Sequence, residues 1–196
     1  MTRQWLSASD RREQLLQCAV KVSAQRGLGR TAHTEIAREA GVAVSSVFLY
    51  FSSRQALLSA VVEEVGRFYI DLAHTYHNSE LAPLDAVHKH FYGFADSVNS
   101  HPEYAQIWLE WAVLIRNEDG LWDLFLKFQE QMIRIIASSI RRCQSDGTVN
   151  KSVPAADAAR LLVASAYTTT QLRFMKRSNR MVHRYTEQAI KLALQQ

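Results

Sequence analysis

The chain has 196 residues, of which 47% are hydrophobic and 21% charged, and a formal net charge of +4. Its length and apolar content suffice for a full core without disulfide or metal staples, and it has no low-complexity tract, which excludes wholesale disorder. Its two cysteines, Cys18 and Cys143, are too few for a disulfide framework; each falls within a helical pattern and reads as a buried or idle thiol.

The opening stretch, MTRQWLSAS, contains no apolar signal region. The longest uncharged stretch in the C-terminal half, Leu161 to Leu172, has 12 residues, against the roughly 20 that a membrane-spanning helix needs. A soluble, cytoplasmic protein is expected. Residues 1–60 carry eight Lys/Arg against four Asp/Glu, and the remainder carries fifteen of each. All the excess positive charge therefore lies in the first third, the placement expected of a part that meets a polyanion.

Three prolines, seven glycines and apolar residues recurring every three or four positions predict an all-α chain of about nine helices. In chain order, Asp10 and Glu13 make a capping-box pair ahead of LLQCAVKVSAQRG, a helix that stops at Gly27. A short second helix covers HTEIAREAG, with Thr31 as its cap and Gly41 as its stop. The third is VSSVFLYF. The fourth starts after Ser52, with Gln55 as its box partner, and runs through ALLSAVVEEVGRFYIDLAHTY. Pro83, Pro102 and Pro154 mark the first turns of later helices. Gly120 separates IWLEWAVLIR from LWDLFLKFQEQMIRIIASSIRRC, and a helix from about Met181 closes the chain. This order predicts a three-helix, helix-turn-helix domain over residues 1–53 and a larger helical bundle over residues 54–196.

Two short helices joined by a glycine-led turn suit a helix-turn-helix, whose second helix lies in a DNA major groove about 12 Å wide. Val47, Phe48 and Phe51 would then face inward onto Ile36, Ala37 and Ala40. Ser45 and Ser46 would present hydroxyls to phosphates or base edges, with Tyr50 and Arg54 supplying phosphate contacts. Pattern alone fits equally well a plain helix pair in which the serines merely cap and the aromatics merely pack.

The stretch GLGRTAHTEIAREAGVAVSSVFLYFSSRQALLSAVV resembles the DNA-binding domain of TetR-family transcription regulators. The signature residues are Thr31, Ile36, Ala37, Ala40, Gly41, Val42, Tyr50, Phe51, Ser53, Arg54 and Leu57. RGLGRTAHTEIA, VSSVFLYFSSR and IWLEWAVLIRNEDGLWDLF are similar to segments of the vibrio quorum-sensing master regulators of the HapR/LuxR/SmcR type. The resemblance implies DNA contacts from His33, Thr34, Val44, Ser45, Ser46, Tyr50 and Arg54. It also implies a homodimer formed through the last two helices, a small apolar effector, and action as repressor or activator. Three positions depart from the pattern. Ala43 stands where a serine usually caps the recognition helix, Leu49 stands where the vibrio proteins have asparagine, and the N-terminal arm offers only Arg3, followed by Trp5, for the minor groove.

Nine of the 19 aromatics lie between Phe91 and Phe128. Tyr104, Trp108, Trp111 and Ile115 fall on one side of a helix, and Glu103, Gln106, Glu110 and Asn117 on the other, which makes Glu110 a solvated face residue. Each aromatic alone reads as core. Together with the resemblance, Tyr69, Phe94, Trp108, Trp111, Phe125 and Phe128 are the candidate lining of an effector pocket. Seven Ala/Ser residues between 155 and 166 allow close helix approach, either within one subunit or across a dimer. Arg173, Lys176, Arg177, Arg180 and Arg184 read as a solvated basic connection.

His74 and His77 have helical metal-ligand spacing but no third ligand in sequence. There is no phosphate-binding glycine loop, nucleophile elbow or Glu-x-x-His pair. No metal, cofactor or enzymatic activity is expected. The competing reading is a helical ligand-binding or protein-interaction module with a vestigial helix-turn-helix.

Overall fold

The structure, a computed structural model, describes residues 7–114 and 120–195. Arg3, Trp5, Ile115 and Asn117 lie outside the described residues. Among those described there are nine α-helices and no strand: α1 (Ala8–Arg26), α2 (His33–Ala40), α3 (Val44–Tyr50), α4 (Arg54–His77), α5 (Pro83–Ser100), α6 (Pro102–Leu114), α7 (Leu121–Ser145), α8 (Ala155–Phe174) and α9 (Asn179–Leu194). A single 3₁₀ turn, Leu28–Arg30, links α1 to α2. The all-helical expectation holds.

Contacts divide the chain into two compact units. The first is Met1–Val65 with Gln106–Leu124, and the second is Gly66–Ala105 with Phe125–Gln196.

In the first unit, α1 buries Leu15, Leu16, Ala19 and Val20, the stripe expected from its period. Its cap differs from the expected one. Ser7 is the N-cap and its Oγ accepts the Asp10 N–H at 3.1 Å, so the capping motif begins three residues earlier than Asp10. Glu13 instead accepts from Gln17 one turn on. Gly27 ends the helix at φ +91° and Gly41 ends α2 at φ +66°, both in the left-handed half of backbone space where a side chain is strained. Thr31 does not cap α2. Its hydroxyl is buried, donating to Ser23 Oγ at 2.9 Å and lying 3.2 Å from the Gly27 carbonyl, and Ala32 takes the cap position. At the head of α4, Ser53 rather than Ser52 caps, accepting the Ala56 N–H at 3.1 Å.

The second unit packs α5 against α8 and α9, with Phe91, Phe94, Ile136, Ile140, Leu162 and Ile190 in its interior. Polar bonds fasten the faces of this interior: Tyr92 donates to Glu187 at 2.7 Å, and Gln129 to the Tyr167 hydroxyl at 2.9 Å. Arg173, expected in solvent, is buried. Its guanidinium donates to the Ala95 carbonyl at 3.0 Å and to Asp96 at 3.1 Å, and also to Asn179, so its charge is matched. Lys176, Arg177, Arg180 and Arg184 are exposed as expected. Cys143 is buried, and burial is the main cause that raises its thiol pKa, as expected of an inert thiol.

Candidate nucleic-acid interface

α3 is a seven-residue helix held from behind. Val47 and Phe51, four apart, are buried in the first unit. His33, the first residue of α2, lies beneath the far end of α3. Because a carbonyl can only accept, His33 Nε2 carries a proton and donates it to the Phe51 carbonyl, 2.7 Å away. The His33 ring also stacks on Phe48, with centroids 3.9 Å apart and planes 4° from parallel. Arg12 of α1 places its guanidinium 5.5 Å from the Phe51 ring centroid, a cation–π contact worth about 0.5–1 kcal/mol at an exposed site. α1 and α2 thus clamp α3 without using its outer side.

Two sequence expectations change here. Phe48 is not core: it is 47% exposed and contributes one face of its ring to His33. The His33 ring, expected at the DNA surface, is turned inward, 6% exposed and bonded to the Phe51 carbonyl.

At about 100° per residue, Leu49 lies roughly 180° from the midpoint of Val47 and Phe51, and Ser45 about 140° from it. The outward face of α3 therefore centres on Ser45 and Leu49, and Leu49 is 83% exposed. Val44 and Ser45 are exposed and Ser46 and Tyr50 half-buried, and Thr34 on α2 is exposed. Arg54 is half-buried and donates to the Gly29 carbonyl at 2.8 Å, which ties the first turn of α4 to the 3₁₀ turn. Ala43 gives α3 no side-chain cap, as its identity requires.

The excess positive charge of the first third is partly spent internally. Arg26 and Arg38 both pair with Glu35, and Lys21 pairs with Glu39. Arg12 and Arg30 are exposed.

The 3₁₀ turn has a further tie that the sequence did not reveal. Glu110, on α6 and in the same unit, accepts the Leu28 N–H at 2.7 Å on one carboxylate oxygen and Gln106 Nε2 at 2.7 Å on the other. It is not a solvated face residue. The helical wheel placed it correctly on the polar side of α6, but no local signal discloses a partner 82 positions away.

All six candidate effector residues are buried. Trp108 and Trp111 belong to the first unit, where Trp111 Nε1 donates to the Leu121 carbonyl at 3.1 Å. Tyr69, Phe94, Phe125 and Phe128 belong to the second, with the Tyr69 and Phe94 rings 5.3 Å apart. Tyr104 is half-buried beside Phe68.

His77, the better half of the suspected metal pair, is turned away from that use. Its Nδ1 meets Ser139 Oγ at 2.7 Å and its Nε2 meets His90 Nδ1 at 3.0 Å in the interior. No group of three metal-ligating side chains occurs among the described residues, and no helix there is long and apolar enough to cross a membrane.

On the outside of the second unit, α8 and α9 frame an apolar groove of about 510 Å³. Leu161, Ala164, Ser165 and Thr168 line it from α8, and Tyr185, Gln188, Ala189 and Leu192 from α9. Leu161 is 62% and Leu192 76% exposed.

A short helix braced by two others, with its far side open, after a left-handed glycine turn, defines a helix-turn-helix domain joined to a helical bundle. Residues 15–61 match the sequence model described as bacterial regulatory proteins, tetR family. That match spans 47 of the 196 residues, the part of the chain that holds the helix-turn-helix. The chain is 30% identical over 121 residues to the HTH-type transcriptional regulator LuxR of Vibrio harveyi, a match covering 62% of this chain and 58% of that protein. The TetR-like transcriptional regulator of Rhodococcus sp. RHA1 superposes with a TM-score of 0.77 at 18% identity, covering 96% of each chain. The regulator FadR of Bacillus subtilis, solved in complex with stearoyl-CoA, does so with a TM-score of 0.76 at 16% identity, covering 93% of this chain and 97% of that one.

Proposed function

We propose that the chain is a cytoplasmic, homodimeric transcription regulator without enzymatic activity, whose paired α3 helices bind a pseudo-palindromic DNA operator. The observation that carries this reading is the construction of α3: seven residues fixed by Val47, Phe51 and His33, with Ser45 and Leu49 facing out. A helix immobilised this way gives up little entropy on binding, so its outward contacts go into affinity and register. Thr34, Val44, Ser45, Ser46, Tyr50 and Arg54 form the contact set, and His33 acts from behind. In functional terms, residues 1–53 bind DNA, while residues 54–196 take the partner subunit and an effector.

The dimer reading is supported by the exposed leucines of the α8–α9 groove, which a two-fold copy would cover. Two α3 helices would then meet half-sites one helical turn, about 34–36 Å, apart. A small apolar effector is proposed for the aromatic interior of the second unit, around Tyr69, Phe94, Phe125 and Phe128. The Bacillus neighbour, solved in complex with stearoyl-CoA, gives a precedent for a ligand with a long apolar chain. Effector coupling of about 1–3 kcal/mol would suffice to release the operator. The likeness to the Vibrio harveyi regulator supports a place in quorum-sensing control.

Fluorescence anisotropy with genomic DNA fragments at two salt concentrations tests the reading. Specific binding that weakens steeply with salt is expected, with Tyr50→Phe and Arg54→Ala each weakening it on all sequences. No specific binding at micromolar protein would favour a ligand-binding or interaction module with a vestigial helix-turn-helix.

A further inference from the structure

We propose that Leu49 is a specificity-determining residue of α3 and that it reads the 5-methyl group of a thymine in the major groove. The inference rests on the DNA-binding reading above and deepens it. Leu49 holds the centre of the outward face, opposite the buried Val47 and Phe51, and is the most exposed large apolar side chain among the described residues, at 83%. Whatever α3 docks against must cover this isobutyl group first.

Among the groups that base pairs present in the major groove, the thymine methyl is the one alkyl group, set in a pattern otherwise dominated by donors and acceptors. An isobutyl group pressed against a guanine, cytosine or adenine edge would strip water from polar atoms and replace none of their hydrogen bonds. Against a thymine methyl, both surfaces lose contact with water at no polar cost. The neighbours on α3 suit this placement. Ser45, one turn earlier, offers a hydroxyl that can donate or accept at the adjacent base. Tyr50 and Arg54 lie off this centre line, where the phosphates run. A protein partner fits less well, since Leu49 stands between Ser45 and Ser46 on its face, and the other exposed apolar residues of α3, Val44 and Phe48, lie about 140° and 100° round the helix from it.

The test begins with selection of an operator from random-sequence DNA by the full-length protein. Each thymine of a half-site is then replaced by deoxyuridine, which deletes only the methyl group. At one position per half-site the replacement is expected to weaken wild-type binding about fourfold, from the hydrophobic contribution of one methyl. In Leu49→Ala the thymine-to-uracil ratio at that position should fall to near one. In Leu49→Asn the selected base there should change from thymine to adenine, whose N6 and N7 an amide side chain pairs with in two places. An operator insensitive to every thymine methyl, or a uracil effect that persists in Leu49→Ala, overturns the proposal alone. A protein that selects no operator overturns the DNA-binding reading and this inference together.

Discussion

Glu110 of α6 holds the backbone N–H of Leu28 at 2.7 Å, and so fastens the turn that leads from α1 into α2. Gln106 fixes the other oxygen of the same carboxylate. Arg54 grips the next residue of the turn, Gly29, through its carbonyl. The short connection that sets the direction of α2 is therefore held by side chains from α4 and α6 as well as by its own backbone.

Removing this carboxylate should loosen the helix-turn-helix. Glu110→Ala is expected to lower stability by roughly 1.5–3 kcal/mol, the range for a hydrogen bond to a charged group. Glu110→Gln should cost less, because an amide oxygen still accepts. Urea denaturation measures the stability, and anisotropy on a selected operator should show weakened binding in the same order. Equal stability in all three proteins would mean that the bond contributes nothing.

Phe48 and His33 form the second brace. Phe48→Ala removes a stacked ring from a half-exposed position, so a stability loss of about 1 kcal/mol is expected. His33→Ala additionally leaves the Phe51 carbonyl without its donor, which adds about 1–3 kcal/mol. Thermal melts that rank Phe48→Ala as the more damaging of the two would contradict this assignment.

Gly93 in α5 gives a prediction of sign. An exposed helical glycine usually gains about 1 kcal/mol on becoming alanine. Here an added Cβ would stand 2.6 Å from the Tyr76 hydroxyl oxygen and 2.8 Å from its ring. Gly93→Ala should therefore destabilise, by about 1–3 kcal/mol for an overpacked site. In a Tyr76→Ala background the same substitution should become neutral or stabilising, which a double-mutant cycle by urea unfolding would reveal.

The His77–His90 pair predicts acid sensitivity. Burial, followed by the positive charges of His74 and Arg142, lowers the His77 pKa from 6.5 to about 4. Burial, then His77 itself, lowers that of His90 well below 6.5. The unfolded chain thus takes up these protons before the folded one does. Their contribution to stability is complete above about pH 6.5 and is lost as pH falls below it, for His77 down to about pH 4, with a limiting slope of about 1 kcal/mol per pH unit for each proton that only the unfolded chain binds. Urea midpoints between pH 7.5 and 4.5 should fall steeply, and less steeply in His77→Gln/His90→Gln. A pH-independent midpoint would overturn the argument.

Leu161 and Leu192 test the pairing of subunits. Both are exposed in the single chain, so Leu161→Glu with Leu192→Glu should leave helix content by circular dichroism unchanged. In a two-fold dimer the four new carboxylates would be buried together, and light scattering should report a monomer.

The helices themselves were legible because apolar residues at three- and four-residue spacing leave few other options, and because Gly27 and Gly41 mark their stops. The caps were misplaced by one to three residues. Serines cluster near both starts, Ser7 with Ser9 and Ser52 with Ser53, and only backbone geometry decides which one turns its oxygen back to the helix. Phe48 misled because a seven-residue helix buries a narrower arc than its period suggests, enough for Val47 and Phe51 and no more. Glu110 and Arg173 were misread for a shared reason. A charged residue on a polar stripe reads as solvated until a backbone from elsewhere in the chain is known to pass beside it.

Arg173 ties three helices together. It sits at the end of α8, reaches the start of α9 through Asn179, and rests on α5 through Ala95 and Asp96. Lysine, with a single point of charge, could not span three such anchors at once. The polar anchoring of the corner between α8 and α9 onto α5 thus converges on one guanidinium, beside the apolar packing of the same three helices. Losing that side chain would free α5, α8 and α9 from one another at three polar points in a single stroke.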